Sequence, residues 1–260
     1  MDRQVQAQIC AGARICRRRK DGQVEKGRIA FMEKKIYVLL ENYMLSCMDD
    51  SAHDSGHIYR VLYNALEIAR TEKDVDYDVL IAACLLHDIG RKEQFENPAL
   101  CHAKVGSEKA YGFLVEHGFE ADWAGKVRDC IRTHRYRQSD LPQSLEGRIL
   151  FDADKLDVTG ALGIARTLIY KGIVSEPLYS LLPDGTVSTG EGDSSPSFFQ
   201  EYKYKLENVY ESFYTVRAVQ IAKERQHTAV EFYECLYREV SRLYLDGREE
   251  LDKYIHEDFS

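Results

Sequence analysis

Val79-Leu80-Ile81-Ala82-Ala83-Cys84-Leu85-Leu86-His87-Asp88-Ile89-Gly90 is the stretch on which the fold turns. Every residue from Val79 to Leu86 is apolar, and a helix apolar on all sides is one buried on all sides. The run closes on an imidazole and a carboxylate, with Gly90 as the expected helix stop. A helix C-terminus carries negative partial charge, which disfavours an aspartate there by about 0.3–1 kcal/mol. Burying that carboxylate unpaired adds several kcal/mol more. A bound divalent cation offsets both terms, being the largest local positive charge and accepting both ligand types. The plainer arrangement is a histidine satisfied by a backbone carbonyl, with Asp88 paired to Arg91 or Lys92. The doublet by itself does not choose.

Outward from this helix the 3.6-residue period continues in both directions. Upstream, Ile36, Leu39, Leu40, Tyr43, Met44 and Cys47 share one helical face, and Ile58, Val61, Leu62, Ala65, Ile68 and Ala69 share another. Downstream, a fourth helix is predicted from His102 to His117, stopping at Gly118. A fifth carries Ala124, Val127, Cys130, Ile131 and His134. A sixth runs from about Ser144 to Tyr170, bent near Gly160 and Gly163. Residues 172–197 are dense in breakers, among them Pro177, Pro183, Asp184-Gly185 and Gly190, and read as a long surface loop, either a lid or an excursion. Two closing helices are expected over 198–222 and 226–246. With no strand alternation, the expected class is all-α: one domain over 32–260 with a C-terminal helical extension. Residues 1–31, which hold Arg17-Arg18-Arg19-Lys20, are expected to be a disordered extension ahead of it; a nucleic-acid arm is the other reading.

The chain has 260 residues and a net charge of −8, which argues against nucleic acid as a stable partner and leaves any anionic substrate to local cations or a metal. Its 7 cysteines are odd in number and never spaced as CxxC, so neither a disulfide framework nor a thiolate zinc site is indicated. That pattern favours a reducing compartment. No apolar run approaches the roughly 18 residues of a membrane span, and no secretory signal is present, so a cytoplasmic location is expected.

Three further histidines lie at helix ends on or beside apolar faces: His57, in phase with Val61; His102, with Val105 and Ala110; and His134, with Val127 and Cys130. One such histidine is ordinary core, whereas four including His87 are able to converge. The segment Phe151-Asp152-Ala153-Asp154-Lys155-Leu156-Asp157 offers a further carboxylate. Residues two apart on a helix point about 200° apart, so Asp152 and Asp154 cannot both face one ion. Periodicity does not decide between them.

The order of these parts resembles the HD-domain superfamily of metal-dependent phosphohydrolases. The likeness rests on Gly56-His57-Ile58-Tyr59-Arg60-Val61, then Leu86-His87-Asp88-Ile89-Gly90, then Asp152-Ala153-Asp154-Lys155-Leu156-Asp157, and covers residues 50–170. It implies a helical bundle with a metal core and His57, His87, Asp88 and Asp154 as ligands, the family's last aspartate preceding a Lys-Leu-like pair. Asp154 through Arg166 and Phe198-Phe199-Gln200-Glu201-Tyr202-Lys203-Tyr204-Lys205 further resemble a branch of small bacterial HD hydrolases.

Two imidazoles and two carboxylates suit Mn²⁺, Fe²⁺, Ni²⁺, Zn²⁺ or Mg²⁺. The reaction so implied is hydrolysis of a phosphoester or phosphoanhydride, with a nucleotide or other small phosphorylated molecule as substrate. By the same resemblance Lys155 is the first choice to hold phosphate, ahead of Arg91, Lys92, Lys104 and Arg135. His102 and His134 either orient phosphate and protonate the leaving oxygen, or complete a second metal site. The second case brings in a di-iron oxygenase acting on a small polyol or phosphonate as the alternative activity. Asp184-Gly185-Thr186 lacks the spaced acids of a calcium loop, and no phosphate-binding glycine motif occurs.

Overall fold

The structure is a computed structural model that describes residues 32–48, 55–135 and 140–255; the expected extension at 1–31 lies outside them. Among the described residues the architecture is all-α, and β pairing amounts to one isolated bridge, Leu181 with Val187. The chain divides into two compact units, residues up to Ala153 and from Asp154 onward.

The first unit contains α1 (Lys34–Cys47), α2 (Ser55–Ala69), α3 (Tyr77–Leu86), α4 (Arg91–Glu96), α5 (His102–Glu116) and α6 (Ala121–Arg132). α3 is its centre. Val79, Leu80 and every residue from Ala82 to Leu86 are buried, as a helix with no polar face must be. It packs against α1, α2, α5 and α6. Its start is set by Asp76, whose side chain accepts from the Val79 amide at 3.2 Å, while the Asp76 amide donates to Glu146 Oε1 at 2.8 Å. α6 presents Ala124, Val127, Cys130 and Ile131 inward and carries Trp123, stacked on Phe119 with ring centroids 5.0 Å apart.

Gly90 differs from the expected helix stop. α3 ends at Leu86, a turn follows, and Gly90 has φ −96°, outside the left-handed region that a terminating glycine usually occupies. Its need for glycine is spatial. A Cβ there meets the His102 carbonyl oxygen at 2.4 Å and the Gly106 nitrogen at 2.5 Å. The short helix α4 that follows Gly90 is absent from the sequence reading.

α7 (Leu145–Leu156) contains the division between the units in its last turn. The second unit continues with α8 (Gly160–Ile173) and α9 (Phe198–Glu201), then a π-helical turn Tyr202–Leu206 and a 3₁₀ turn Val209–Glu211, and ends with α10 (Val216–Leu251). The single bent helix expected over 144–170 is thus two. Gly160 sits at φ +62° between them, and a Cβ at Gly163 meets the Val158 carbonyl oxygen at 2.2 Å, so the turn folds tightly back. The closing helices also differ. The break falls at 207–215 rather than 222–226, because Thr215 caps the Ala218 amide at 3.4 Å and starts one long helix. Arg225, in the expected gap between the two helices, points back to the Leu156 carbonyl at 2.9 Å.

Residues 174–197 are held on this unit: the Phe198 and Phe199 amides donate to the Pro177 and Leu178 carbonyls at 3.0 Å each, and Tyr233 Oη donates to the Thr189 carbonyl at 2.6 Å. Among the described residues no helix is long and apolar enough to cross a membrane.

Candidate metal centre

Four helix ends of the first unit deliver five side chains to one place. His57 stands at the start of α2, His87 and Asp88 just after α3, His102 at the start of α5 and His134 just after α6, and all are buried. The last carbonyls of a helix have no partner within it. Here they orient imidazoles: His87 Nδ1 lies 2.7 Å from the Cys84 carbonyl and His134 Nδ1 lies 2.6 Å from the Ile131 carbonyl. A carbonyl only accepts, so each neutral ring carries its proton on Nδ1 and turns the Nε2 lone pair into the cluster.

The side chains form two triads that share Asp88: His57, His87, Asp88 and Asp88, His102, His134, with the donor atoms of each within 4.8 Å of one another. Asp88 Oδ2 faces His57 Nε2 at 3.5 Å and His87 Nε2 at 3.7 Å. Its Oδ1 faces His102 Nε2 at 3.3 Å and His134 Nε2 at 3.7 Å. The Nε2 atoms of His57 and His87 are 3.4 Å apart and those of His102 and His134 are 3.3 Å apart. Two nitrogens held about 2.0–2.1 Å from one ion at a tetrahedral angle are separated by about this much. Asp88 Oδ1 is buried and makes no hydrogen bond; Arg91 Nε lies 2.9 Å away, in ion-pair range but off the bonding direction. Lone pairs aimed at lone pairs and at a carboxylate oxygen with no donor repel one another, and a divalent cation removes that repulsion. The donor set fits such an ion.

Electrostatics agree. Burial alone pushes the Asp88 carboxyl up, but His87, Arg91 and His57 outweigh it and hold the group well below the usual carboxylate range. His102 is pushed down to about 2, chiefly by burial, with Arg91, His134 and Arg135 adding to it and Asp88 opposing. Unfolded, the ring titrates near 6.5, so below that pH the unfolded chain binds a proton that the folded one refuses. Metal-free protein therefore keeps the full contribution of a neutral His102 above pH 6.5 and loses it as pH falls from there toward 2. The expected slope is at most about 1.4 kcal/mol per pH unit, read from denaturant midpoints between pH 7 and 5. His102→Gln is expected to flatten it.

A model of the HD domain matches residues 55–159 of the chain. A predicted HD superfamily hydrolase from an uncultured Thermotogales bacterium is 32% identical; its crystal structure aligns with a TM-score of 0.54, covering 78% of this chain and 91% of that one. The chain belongs to the HD-domain superfamily. The uncharacterized protein YpgQ of Bacillus subtilis (strain 168) is 28% identical over 196 residues, which are 74% of this chain and 86% of YpgQ. The crystal structure of YpgQ in complex with ADP aligns with a TM-score of 0.61 at 25% identity, covering 79% of this chain and 95% of that one. This HD-family chain thus has hydrolases among its relatives and two side-chain clusters able to hold divalent metal.

The remaining side chains singled out in the sequence lie as follows. Asp154 is half-buried on α7 and opens the second unit, whereas Asp152 is fully buried. Lys155 Nζ donates to the Ser212 carbonyl at 2.9 Å and lies 5.2 Å from the centre of the Phe213 ring. Lys92 and Lys104 are exposed. Two features of this HD site escape sequence reasoning. Gln94 on α4 faces the His102 ring, Oε1 to Nδ1, at 2.6 Å. Lys109 ties the turn down by donating to the Ile89 carbonyl at 2.9 Å and to Glu93 Oε1 at 2.6 Å. A single amide on a short helix, or a single lysine on the outer side of a longer one, has no periodic signature, so nothing in the sequence flags either.

Proposed function

We propose that this chain is a divalent-metal-dependent phosphohydrolase acting on a small phosphorylated molecule, with a nucleotide as the leading substrate class. The observation that carries the reading is Asp88, a buried carboxylate shared by two histidine pairs, with one oxygen that accepts no hydrogen bond. His57, His87, Asp88 and Asp154 would hold the first ion, and Asp88, His102 and His134 would hold a second. When bound, a divalent cation polarises a phosphoryl oxygen and lowers the pKa of an adjacent water.

The chain's own groups do the rest. Asp88 brings one oxygen to each triad and so fixes their spacing. His102, neutral down to about pH 2, is poorly suited to protonate a leaving oxygen, which favours a ligand role for it. Arg91, beside Asp88, and Lys155, one residue past Asp154, supply the cations that spreading phosphoryl charge requires. The nucleotide preference is supported by the ADP complex of YpgQ.

Hydrolysis of a nucleotide panel and p-nitrophenyl phosphate with Mn²⁺ tests the reading, wild type against Asp88→Ala and Asp154→Ala. Both variants are expected to lose activity by about 10³-fold; activity surviving in both rejects the proposal. Because two triads share one carboxylate, a di-iron oxygenase acting on a small polyol or phosphonate is the second reading. About two irons per chain together with oxygen consumption select it over hydrolysis.

A further inference from the structure

The three inner histidines with visible Nδ1 partners are not held alike. His87 and His134 meet backbone carbonyls, which accept and never donate, so their tautomers are fixed. His102 meets a side-chain amide, Gln94, at 2.6 Å. A primary amide accepts through Oε1 and donates through Nε2, and a half-turn about its last side-chain bond exchanges the two. Both states of the pair are internally satisfied.

With Oε1 toward the ring, Nδ1 holds the proton and donates. The His102 Nε2 lone pair then faces the His134 Nε2 lone pair at 3.3 Å, an arrangement that calls for a cation between them. With the amide reversed, Gln94 donates to Nδ1. The ring proton then sits on Nε2, facing two acceptors at 3.3 Å each, His134 Nε2 and Asp88 Oδ1, and the group is satisfied without metal.

We propose that Gln94 is a positioning residue that switches the tautomer of His102 and thereby couples the second triad to its metal: amide reversed in metal-free protein, oxygen forward when the ion is bound. The inference rests on the second metal of the function proposed above. The switch moves one proton from Nδ1 to Nε2 by exchange with solvent and turns one amide; no net charge changes. An ion binding there has to reverse the amide and break the hydrogen bond that His102 Nε2 donates, so the second triad binds more weakly than its donor set alone allows. A glutamate at 94 accepts only, and holds His102 ready for metal.

The test uses the full chain, wild type and Gln94→Glu, with ¹⁵N-labelled histidine and Zn²⁺ as a diamagnetic probe. The His102 ring is assigned by its loss in His102→Asn. In metal-free wild type the lone-pair shift is expected at Nδ1 and the N–H shift at Nε2; in metal-free Gln94→Glu the two are expected to be exchanged. Zn²⁺ is expected to bring wild type to the Gln94→Glu pattern, and the variant is expected to bind the second Zn²⁺ about 10-fold more tightly. A merely structural role for Gln94 predicts no exchange of ring shifts. Metal-free wild type already protonated at Nδ1, or a variant with the wild-type pattern, overturns the switch, and this is read without any metal. Absence of a second Zn²⁺ overturns the dinuclear reading separately, and the coupling with it.

Discussion

Asp88→Asn is expected to abolish binding of both ions and to make the metal-free protein less stable than wild type. The carboxylate is the one group shared by the two triads, so its loss removes a ligand from each. An amide cannot replace it, since a neutral oxygen is a poorer ligand beside histidines and its nitrogen offers N–H where the ion needs a lone pair. In metal-free protein the same change leaves Arg91 facing a neutral amide and removes a charge that His87, Arg91 and His57 hold ionised, so it is destabilising. Saturating wild type at about 100 times the dissociation constant contributes about 2.7 kcal/mol, a rise of about 5–10 °C in Tm for a unit of this size. The variant should show no rise with Mn²⁺ or Zn²⁺, and turnover lower by about 10³-fold or more. Thermal melts with and without metal, together with metal content by mass spectrometry, read both effects. A variant that melts above metal-free wild type, or that still binds metal, contradicts the account of the site.

Gly90→Ala is expected to be the most damaging single methyl addition near the site. The new Cβ meets backbone atoms on α5, the His102 oxygen at 2.4 Å and the Gly106 nitrogen at 2.5 Å, and backbone cannot step aside as a flexible side chain does. The turn after α3 must lift from α5, which costs about 3 kcal/mol or more and lowers Tm by roughly 6–12 °C. The same movement draws His102 away from Asp88, so the second triad should lose its ion before the first does. Melting temperature and metal stoichiometry check the two halves. Gly112→Ala, with nothing within 4 Å of its Cβ, is the control on the same helix and should be nearly silent.

The metal cluster was legible in the sequence because its histidines break a rule of composition. An imidazole or a carboxylate at a helix end on a buried face is costly, and a sequence that pays this cost repeatedly at His57, His87, Asp88, His102 and His134 implies a common reason. The resemblance supplied the order of the parts and Asp154. Five of the six helices of the first unit were legible from their apolar period; the short helix after Gly90 was not. What stayed hidden depends on space and on individual polar contacts. Gly90 looks like any terminating glycine until the distance to Gly106 is known. The break at 207–215 contains neither proline nor glycine, and only the cap at Thr215 reveals it. The expected gap between 222 and 226 does not exist: Arg225 belongs to a continuous helix and reaches Leu156 and Thr159. Gln94 acts through one atom of one amide, on a scale that hydropathy does not resolve.

The Phe119–Trp123 stack has a practical use. The chain has a single tryptophan, and it lies in the first compact unit. Indole emission therefore reports on the half that holds the histidine cluster and is blind to the half that begins at Asp154, whereas far-ultraviolet ellipticity sums over both. Recording the two signals through one denaturant titration separates the melting of each half without any label, and shows directly which of them an added ion protects.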